Sequence, residues 1–380
     1  MRVLVLGAGF GGLEMTAKLA EEFGDDVEIT LVDKTEAFVF GFSKLDVMFG
    51  RTSVDHVSHR YADIVKSGVR FVQAEIESID AAAKSAKTSA GDFEADFLVI
   101  ALGADYDLSA TPGLAEGGYE FYTNAGAFAQ TQRIADFKGG RVVIGVVSAP
   151  FKCPPAPSET ALLVHDTLVA RGLRENSSIT LAMPFGRPIP PSPDASEALV
   201  EAFFERDIEW RAETGVSAVD PATSTVATSA GDELPFDLFL CVPHHVAPQV
   251  VVDSGLTEDG WIAVDPFTLE TRDHPNVYAV GDVAAVGTPR AGVFAEGQAK
   301  TAADQIAAKI RDGQSDAKYG GRGVCYIEFG EKEIGMVDVE FFGDSKSAAL
   351  VGPSELYVAD KAEFGTSRIK RWFGRDWSNV

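Results

Sequence analysis

The opening segment, from Arg2 to Asp33, most restricts how this chain can fold. Val3 to Leu6 reads as a strand and runs into Gly7-Ala-Gly9-Phe-Gly-Gly12. Leu13-Glu-Met-Thr-Ala-Lys-Leu-Ala20 then has helical spacing, with Leu13, Ala17 and Ala20 on one face. Val27-Glu-Ile-Thr-Leu-Val-Asp33 reads as a second strand ending in an acid. This is a complete β-turn-α-β unit of the usual length, about thirty residues. The first glycine allows the tight turn, the second lets backbone approach a pyrophosphate, and the third lets helix and strand pack closely. Phosphates then face the helix N-terminus, and Asp33 can accept hydrogen bonds from a ribose. A lone Gly-x-Gly-x-x-Gly is a weak signal, but in this strand–turn–helix–strand–acid setting it predicts dinucleotide binding. It does not distinguish FAD from NAD.

The bulk properties narrow the class further. A chain of 380 residues suits two or three domains. No apolar run approaches the length of a membrane span, and Val3–Leu6 lacks the basic region and cleavage site of a signal peptide. A cytoplasmic location is therefore expected. The net charge of −24 repels nucleic acid, so no such partner is expected. Cys153, Cys241 and Cys325 are too few and too scattered for a disulfide framework. With no Cys-x-x-Cys and no matching histidine pattern, no metal site is expected.

Along the chain, residues 69–80 and 93–104 carry further strand signals, and 105–140 read as loops with a short helix. A second α/β unit begins with the apolar run Arg141–Val147. It continues with a helix at about 158–171, a strand at 178–183, a Pro-rich turn, a helix at 195–205 and a strand at 236–243. Strand and turn signals return over 261–282, and a long helix is predicted for Gly292–Ile310, with Ala299, Ala302, Ala303 and Ile306 available to pack. Beyond a linker at 311–323 the chain alternates apolar residues. The expected fold is α/β, with two Rossmann-like dinucleotide-binding domains and a small β-rich C-terminal cap with a helical end. The expected boundaries are 1–108 and 247–313 for the first domain, 109–246 for the second and 314–380 for the cap.

Asn276-Val-Tyr-Ala-Val-Gly-Asp-Val283 settles the dinucleotide. Here the chain resembles the two-dinucleotide-binding-domain flavoproteins, in which this segment is the second FAD signature. The resemblance implies that Asp282 binds the ribityl–pyrophosphate part of FAD. The chemistry agrees, since Gly281 lets backbone come close and the acid can accept a hydroxyl proton. Ala101-Leu-Gly103 is similar to that family's Ala-Thr-Gly turn. The implied cofactor-binding set is Gly7, Gly9, Phe10, Gly12, Asp33, Lys34, Ile76, Ala101, Gly103, Gly281, Asp282, Gly292 and Val293.

In most of that superfamily the second unit binds NAD(P)H through its own glycine turn. Here the turn reads Gly145-Val-Val-Ser-Ala-Pro-Phe-Lys-Cys153. Val146 and Val147 place side chains where backbone should meet phosphate, and Pro150 lacks a donor N–H. NAD(P)H binding is expected to be lost or weak. What stands there instead is Cys153 with Pro154-Pro-Ala-Pro-Ser-Glu159; near the C-terminus Cys325 lies in Gly323-Val-Cys-Tyr-Ile-Glu-Phe-Gly330. Both segments, and Trp372-Phe-Gly374, resemble sulfide:quinone oxidoreductases and the flavoprotein subunit of flavocytochrome c sulfide dehydrogenase. The resemblance implies that Cys153 and Cys325 meet beside the isoalloxazine ring as a redox pair. Sulfide, a soft two-electron donor, would attack a disulfide sulfur there, and electrons would pass through FAD to quinone or another electron carrier. Glu159 is similar to that family's proton-handling carboxylate; it reads equally well as a first-turn acid favoured by the helix dipole. Cys241, inside a plain strand, reads as core.

Some features depart from the resemblance. Between Asp105 and Phe151 there is no third functional cysteine. No cysteine precedes Cys153, so the FAD is expected to be noncovalent. His244 and His245 read either as neighbours of the flavin pocket or as solvent-facing loop residues. The tail 361–377 is basic, and Ile369, Trp372, Phe373 and Trp377 form one apolar stripe. It suits a weak peripheral membrane contact or a tail packed on the cap or on a partner subunit. Two other readings of the chain stay open: an NAD(P)H-dependent quinone or ferredoxin reductase of the type II NADH dehydrogenase kind, and a non-enzymatic FAD-binding redox sensor or partner subunit.

Overall fold

The computed structural model describes residues 1–343 and 348–377. Its first parallel sheet has the strand order Val277–Ala279, Phe97–Ile100, Arg2–Leu6, Glu28–Asp33, Val69–Gln73. Leu6 pairs with Val32 on one side and Ile100 on the other. The chain thus leaves its first strand toward one side and returns on the other, which opens a crevice at the carboxyl ends of the strands. Helices Phe10–Phe23 and Gly292–Ile310 pack on each other over this sheet. Ala299, Ala302, Ala303 and Ile306 are buried there, as the helical spacing predicts, and the small alanines let the two backbones approach.

The second parallel sheet runs Ile208–Arg211, Ser177–Ala182, Gly140–Val146, Leu238–Val242. Helices Ala156–Ala170 and Pro193–Glu205 pack against its strands. Cys241 is fully buried in its core, as expected. Each unit carries an antiparallel three-stranded sheet, one over residues 76–94 and one over 216–235. The second of these was not anticipated, because its strands are short and alternate polar with small apolar residues. The helix expected within 105–140 is also longer than predicted. Asn124–Asp136 makes nearly four turns, capped by the Thr123 hydroxyl, which accepts from the Gly126 N–H at 2.8 Å. It buries only Ala127, Gln130 and Ile134, a stripe too thin to stand out as a period.

The C-terminal cap is an antiparallel sheet, Arg322–Gly330, Glu333–Glu340 and Ala348–Ser354, followed by helix Val358–Phe373. Most of the tail's apolar stripe is covered by the protein itself. Ile369, Trp372 and Phe373 are buried against the first unit, not against the cap sheet. The Trp372 indole donates to Glu14 Oε2 at 2.7 Å, and Arg371 pairs with the same carboxylate at 3.0 Å. Arg368 pairs with Glu296 at 2.7 Å. Trp377 stacks over Phe40 and meets His59 edge-on. Arg368 and Arg371 thus neutralise acids of the first unit's two helices, and Ile369, Trp372 and Phe373 fill its core. Among the described residues no helix is long and apolar enough to cross a membrane.

Candidate active site

A cleft of about 780 Å³ opens at the carboxyl ends of the first sheet and extends between the second sheet and the cap. Of the expected cofactor residues, all but Gly12 line it. The three glycines divide the labour. Gly7 has φ +98°, and a Cβ there would lie 2.4 Å from the Ala101 carbonyl oxygen. Gly12 stands behind the turn, where a Cβ would lie 1.8 Å from the Gly7 carbonyl oxygen, so this glycine serves the close packing of helix on strand. Gly9 has φ −78°, open to any residue, and a Cβ there would meet no atom within 4 Å. Its bareness serves the cleft, not the protein around it.

Asp33 ties the turn together. Its Oδ2 accepts from the Ala8 N–H at 2.8 Å, and its Oδ1 accepts from the Thr35 N–H at 2.8 Å and the Thr35 hydroxyl at 2.7 Å. A carboxylate has about four acceptor positions, so capacity is left for a ribose. Asp282 differs: among the described residues no donor reaches its carboxylate, which faces the cleft. Burial raises its pKa, against the opposing pull of Lys152, Arg290 and Lys44. A half-buried acid without donors is the feature expected of a group waiting for hydroxyls. The bare helix N-terminus at Gly9, the ribose acid Asp33 and the free acid Asp282 fit an FAD, and the cleft is of the size that holds such ligands.

Arg290, which no motif singles out, joins this cradle to the cysteine loop. Its guanidinium lies 3.7 Å over the Trp261 ring and its Nε donates to the Asp282 carbonyl at 2.9 Å. Its own carbonyl accepts from the Cys153 N–H at 2.7 Å. Cys153 has φ +54°, a left-handed conformation that a non-glycine side chain rarely adopts. The Ala156 N–H then donates to the Cys153 carbonyl at 2.9 Å, starting helix Ala156–Ala170. The Cys153 side chain opens onto the cleft.

The fold brings Cys325 to the same cleft by docking strand Arg322–Gly330 along that helix. Two carboxylates fix the register: Glu159 Oε1 accepts from the Glu328 N–H at 2.9 Å, and Asp166 Oδ2 from the Glu331 N–H at 2.6 Å. Both cysteines are free thiols. Cys153 is exposed to the open cleft, but the protein around it still desolvates the thiolate and, with the charges of Glu159 and Cys325 and against Lys44, raises its pKa above the ordinary thiol range. Burial and then Glu159 push Cys325 up to about 12. A pair so placed is stable as neutral thiols or as a sulfur–sulfur bond, and a thiolate forms there only when expelled.

The second unit's turn has few amides to offer a phosphate. A Cβ on Gly145 would lie 2.5 Å from Val216, so this glycine makes room for packing. The N–H groups of Val147, Cys153 and Ala156 are donated to Val242, Arg290 and Cys153 carbonyls. Pro150, Pro154 and Pro155 have none. The two histidines fit neither alternative fully. His245 is buried with Nδ1 at 2.9 Å from the Pro243 carbonyl and lies edge-on to Tyr106 and Tyr122. His244 is held by the Ser148 hydroxyl at 2.6 Å. Neither lines the cleft; His245 sits behind two tyrosines that do.

Glu159 is buried, and burial raises its pKa from 4.5 to about 7, with Lys361 and the Glu328 N–H opposing. It can therefore hold or release a proton near neutrality. Lys361 pairs with Glu328 at 2.6 Å, and Glu328 pairs with Arg51 at 2.8 Å, which leads the charge network outward. Because the folded state binds this proton more tightly than the unfolded state, Glu159 costs stability as pH rises from 4.5 to about 7. Glu159→Gln keeps the acceptor for the Glu328 N–H and removes the titration. Between pH 5 and pH 8, the stability difference should move about 2 kcal/mol in the variant's favour, read by urea unfolding.

The chain belongs to the pyridine nucleotide-disulphide oxidoreductase family, whose profile matches residues 1–147 and 168–305. It is an FAD-dependent oxidoreductase of the two-dinucleotide-binding type, similar to sulfide:quinone oxidoreductases. A sulfide-quinone reductase of Aquifex aeolicus is 28% identical over 354 residues, covering 87% of this chain and 81% of that protein. A mitochondrial sulfide:quinone oxidoreductase of Mus musculus is 22% identical over 352 residues, covering 89% and 78%. The crystal structure of the Aquifex aeolicus sulfide:quinone oxidoreductase superposes with a TM-score of 0.87 at 24% identity, covering 98% of this chain and 91% of that one. NDH2 of Plasmodium falciparum, solved with NADH, shares the fold with a TM-score of 0.75 at 13% identity, covering 98% and 96%. The family match is interrupted over 148–167, the stretch that holds Cys153 and Glu159.

Proposed function

We propose that this enzyme oxidises sulfide or a related sulfur compound through Cys153 and Cys325, with noncovalent FAD in the cleft and quinone or another carrier as acceptor. The observation that carries this reading is the meeting of two sequence-distant cysteines in the cleft that also holds Gly9 and Asp282. The reading assigns the glycine turn and Asp33 to the adenosine side of FAD, and Asp282 to its ribityl–pyrophosphate part. FAD, when bound, supplies a two-electron acceptor.

The chain's own part begins with the pair joined as a disulfide. Hydrosulfide attacks one sulfur, forming a new sulfur–sulfur bond and breaking the old one. One cysteine becomes a persulfide, and the other leaves as a thiolate that carries the electron pair. Desolvation by the cleft walls and the charge of Glu159 disfavour that thiolate, which makes it a strong donor. Glu159, which lines the cleft and can hold a proton near neutrality, takes the persulfide proton and releases it to the cleft. The apolar end of the cleft, with Phe42, Tyr326 and Phe364 near Lys361, offers the acceptor a site.

The alternative of an NAD(P)H-dependent reductase is favoured by the fold shared with NDH2 and disfavoured by the amide-poor turn after Val146. Anaerobic rapid mixing separates the two. Sulfide should bleach the flavin absorbance within seconds while NADH leaves it unchanged; bleaching by NADH and not by sulfide would overturn the proposal.

A further inference from the structure

Lys44 and Lys152 both line the cleft beside Cys153 and repel each other. Among the described residues neither is ion-paired. Lys44 spends one N–H on the Tyr122 carbonyl at 2.5 Å and keeps two. Lys152 lies 4.8 Å from the centre of the Tyr106 ring. The carboxylates facing Lys44 are Glu120 and Asp282, and those facing Lys152 are Asp282 and Asp105. Glu120 is already engaged by the Tyr122 N–H at 2.7 Å and the Thr123 N–H at 2.9 Å, along with the Thr123 hydroxyl. A third group lies near Cys153: the Tyr122 hydroxyl is buried, has no partner among the described residues, and interacts electrostatically with Cys153. Asp282 faces both lysines, and a small anion between them would offset the rest of their repulsion.

We propose that Lys44, Lys152 and Tyr122 form an anion subsite beside Cys153, and that the sulfur substrate is bound there as a small anion. This rests on the sulfur-oxidising reading and adds to it the ionic form of the substrate and the groups that select it. Asp282, given above to the ribityl–pyrophosphate part of FAD, faces both lysines, so the subsite adjoins the place of the cofactor. Two sources share this chemistry: hydrosulfide as the incoming donor, and a sulfur oxyanion such as sulfite that accepts the persulfide sulfur. Burial, with Lys152, lowers the pKa of Lys44 to about 7. The subsite therefore carries its full positive charge below neutrality and weakens above it.

Thiocyanate, a small anion that donates no electrons to flavin, probes the subsite directly by calorimetric titration of the holoenzyme. Its dissociation constant should rise about tenfold or more in Lys44→Gln and in Lys152→Gln, the loss of one charge-assisted hydrogen bond. Affinity in the wild type should fall as pH rises through 7, and this fall should be absent in Lys44→Gln. Where a Gln variant loses FAD, Lys44→Arg and Lys152→Arg, which keep the charge, should retain thiocyanate binding. Sulfite that competes with sulfide during flavin reduction assigns the subsite to the donor; sulfite that speeds turnover without competing assigns it to the acceptor. Unchanged thiocyanate affinity in both FAD-replete Gln variants overturns the proposal. So does a changed flavin midpoint potential with unchanged thiocyanate affinity, which would give the lysines to the cofactor. Loss of thiocyanate binding from the Arg variants overturns it too. If thiocyanate behaves as stated but sulfide never reduces the wild-type flavin, the anion subsite stands and the sulfide reading fails.

Discussion

Cys153→Ser should retain FAD and lose sulfide-driven flavin reduction by about a thousandfold or more, as when one member of a reacting unit is removed. The serine oxygen cannot form the sulfur–sulfur bond on which the reaction turns. The backbone should survive the change, because the Cys153 N–H to Arg290 carbonyl bond and the left-handed turn involve no sulfur. Cys325→Ser should show the same loss, and the double variant no more than either alone, since the two act as one pair. Cys241→Ser, by contrast, alters a fully buried residue of the second sheet and should reduce stability, not reactivity. Anaerobic stopped-flow at matched FAD content reads all four. Full sulfide reactivity in either cleft variant would contradict the pair.

The second large effect separates two glycines of one motif. Gly9→Val should give a folded protein that holds no FAD. Its backbone conformation is open to valine and the new side chain meets nothing but the cleft. Gly12→Ala should disrupt folding, because the added methyl would lie 1.8 Å from the Gly7 carbonyl oxygen. The expected cost is about 3 kcal/mol or more. Circular dichroism and the flavin-to-protein ratio distinguish the outcomes: native spectrum without flavin for Gly9→Val, loss of both for Gly12→Ala. A flavin-replete Gly9→Val would mean that the turn does not carry the cofactor.

The parts of the molecule legible in the sequence are those whose information is local. The Gly7–Gly12 turn, the strand ending at Asp33 and the helix Gly292–Ile310 each announce themselves within one stretch of chain. Cys153 was legible because prolines stood where glycines belong. What escaped depends on pairing between distant segments. Arg290 matters through its contacts with Trp261 and with Cys153 and Asp282, which no spacing reveals. Lys44 sits in a helix with an unremarkable pattern and acquires meaning only beside Lys152. The C-terminal stripe was visible as amphipathic, but amphipathicity does not say what covers it. Here Glu14, a buried acid in the first helix, takes both Arg371 and the Trp372 indole.

Peptide mapping of the FAD-bound enzyme after sulfide turnover, under non-reducing denaturing conditions, tests the central claim most directly. With free thiols blocked during unfolding, the account predicts one cross-linked species joining the Cys153 and Cys325 peptides, through two sulfurs or more, with Cys241 blocked. Recovery of Cys153 and Cys325 fully blocked after turnover, with no link between their peptides, would contradict it.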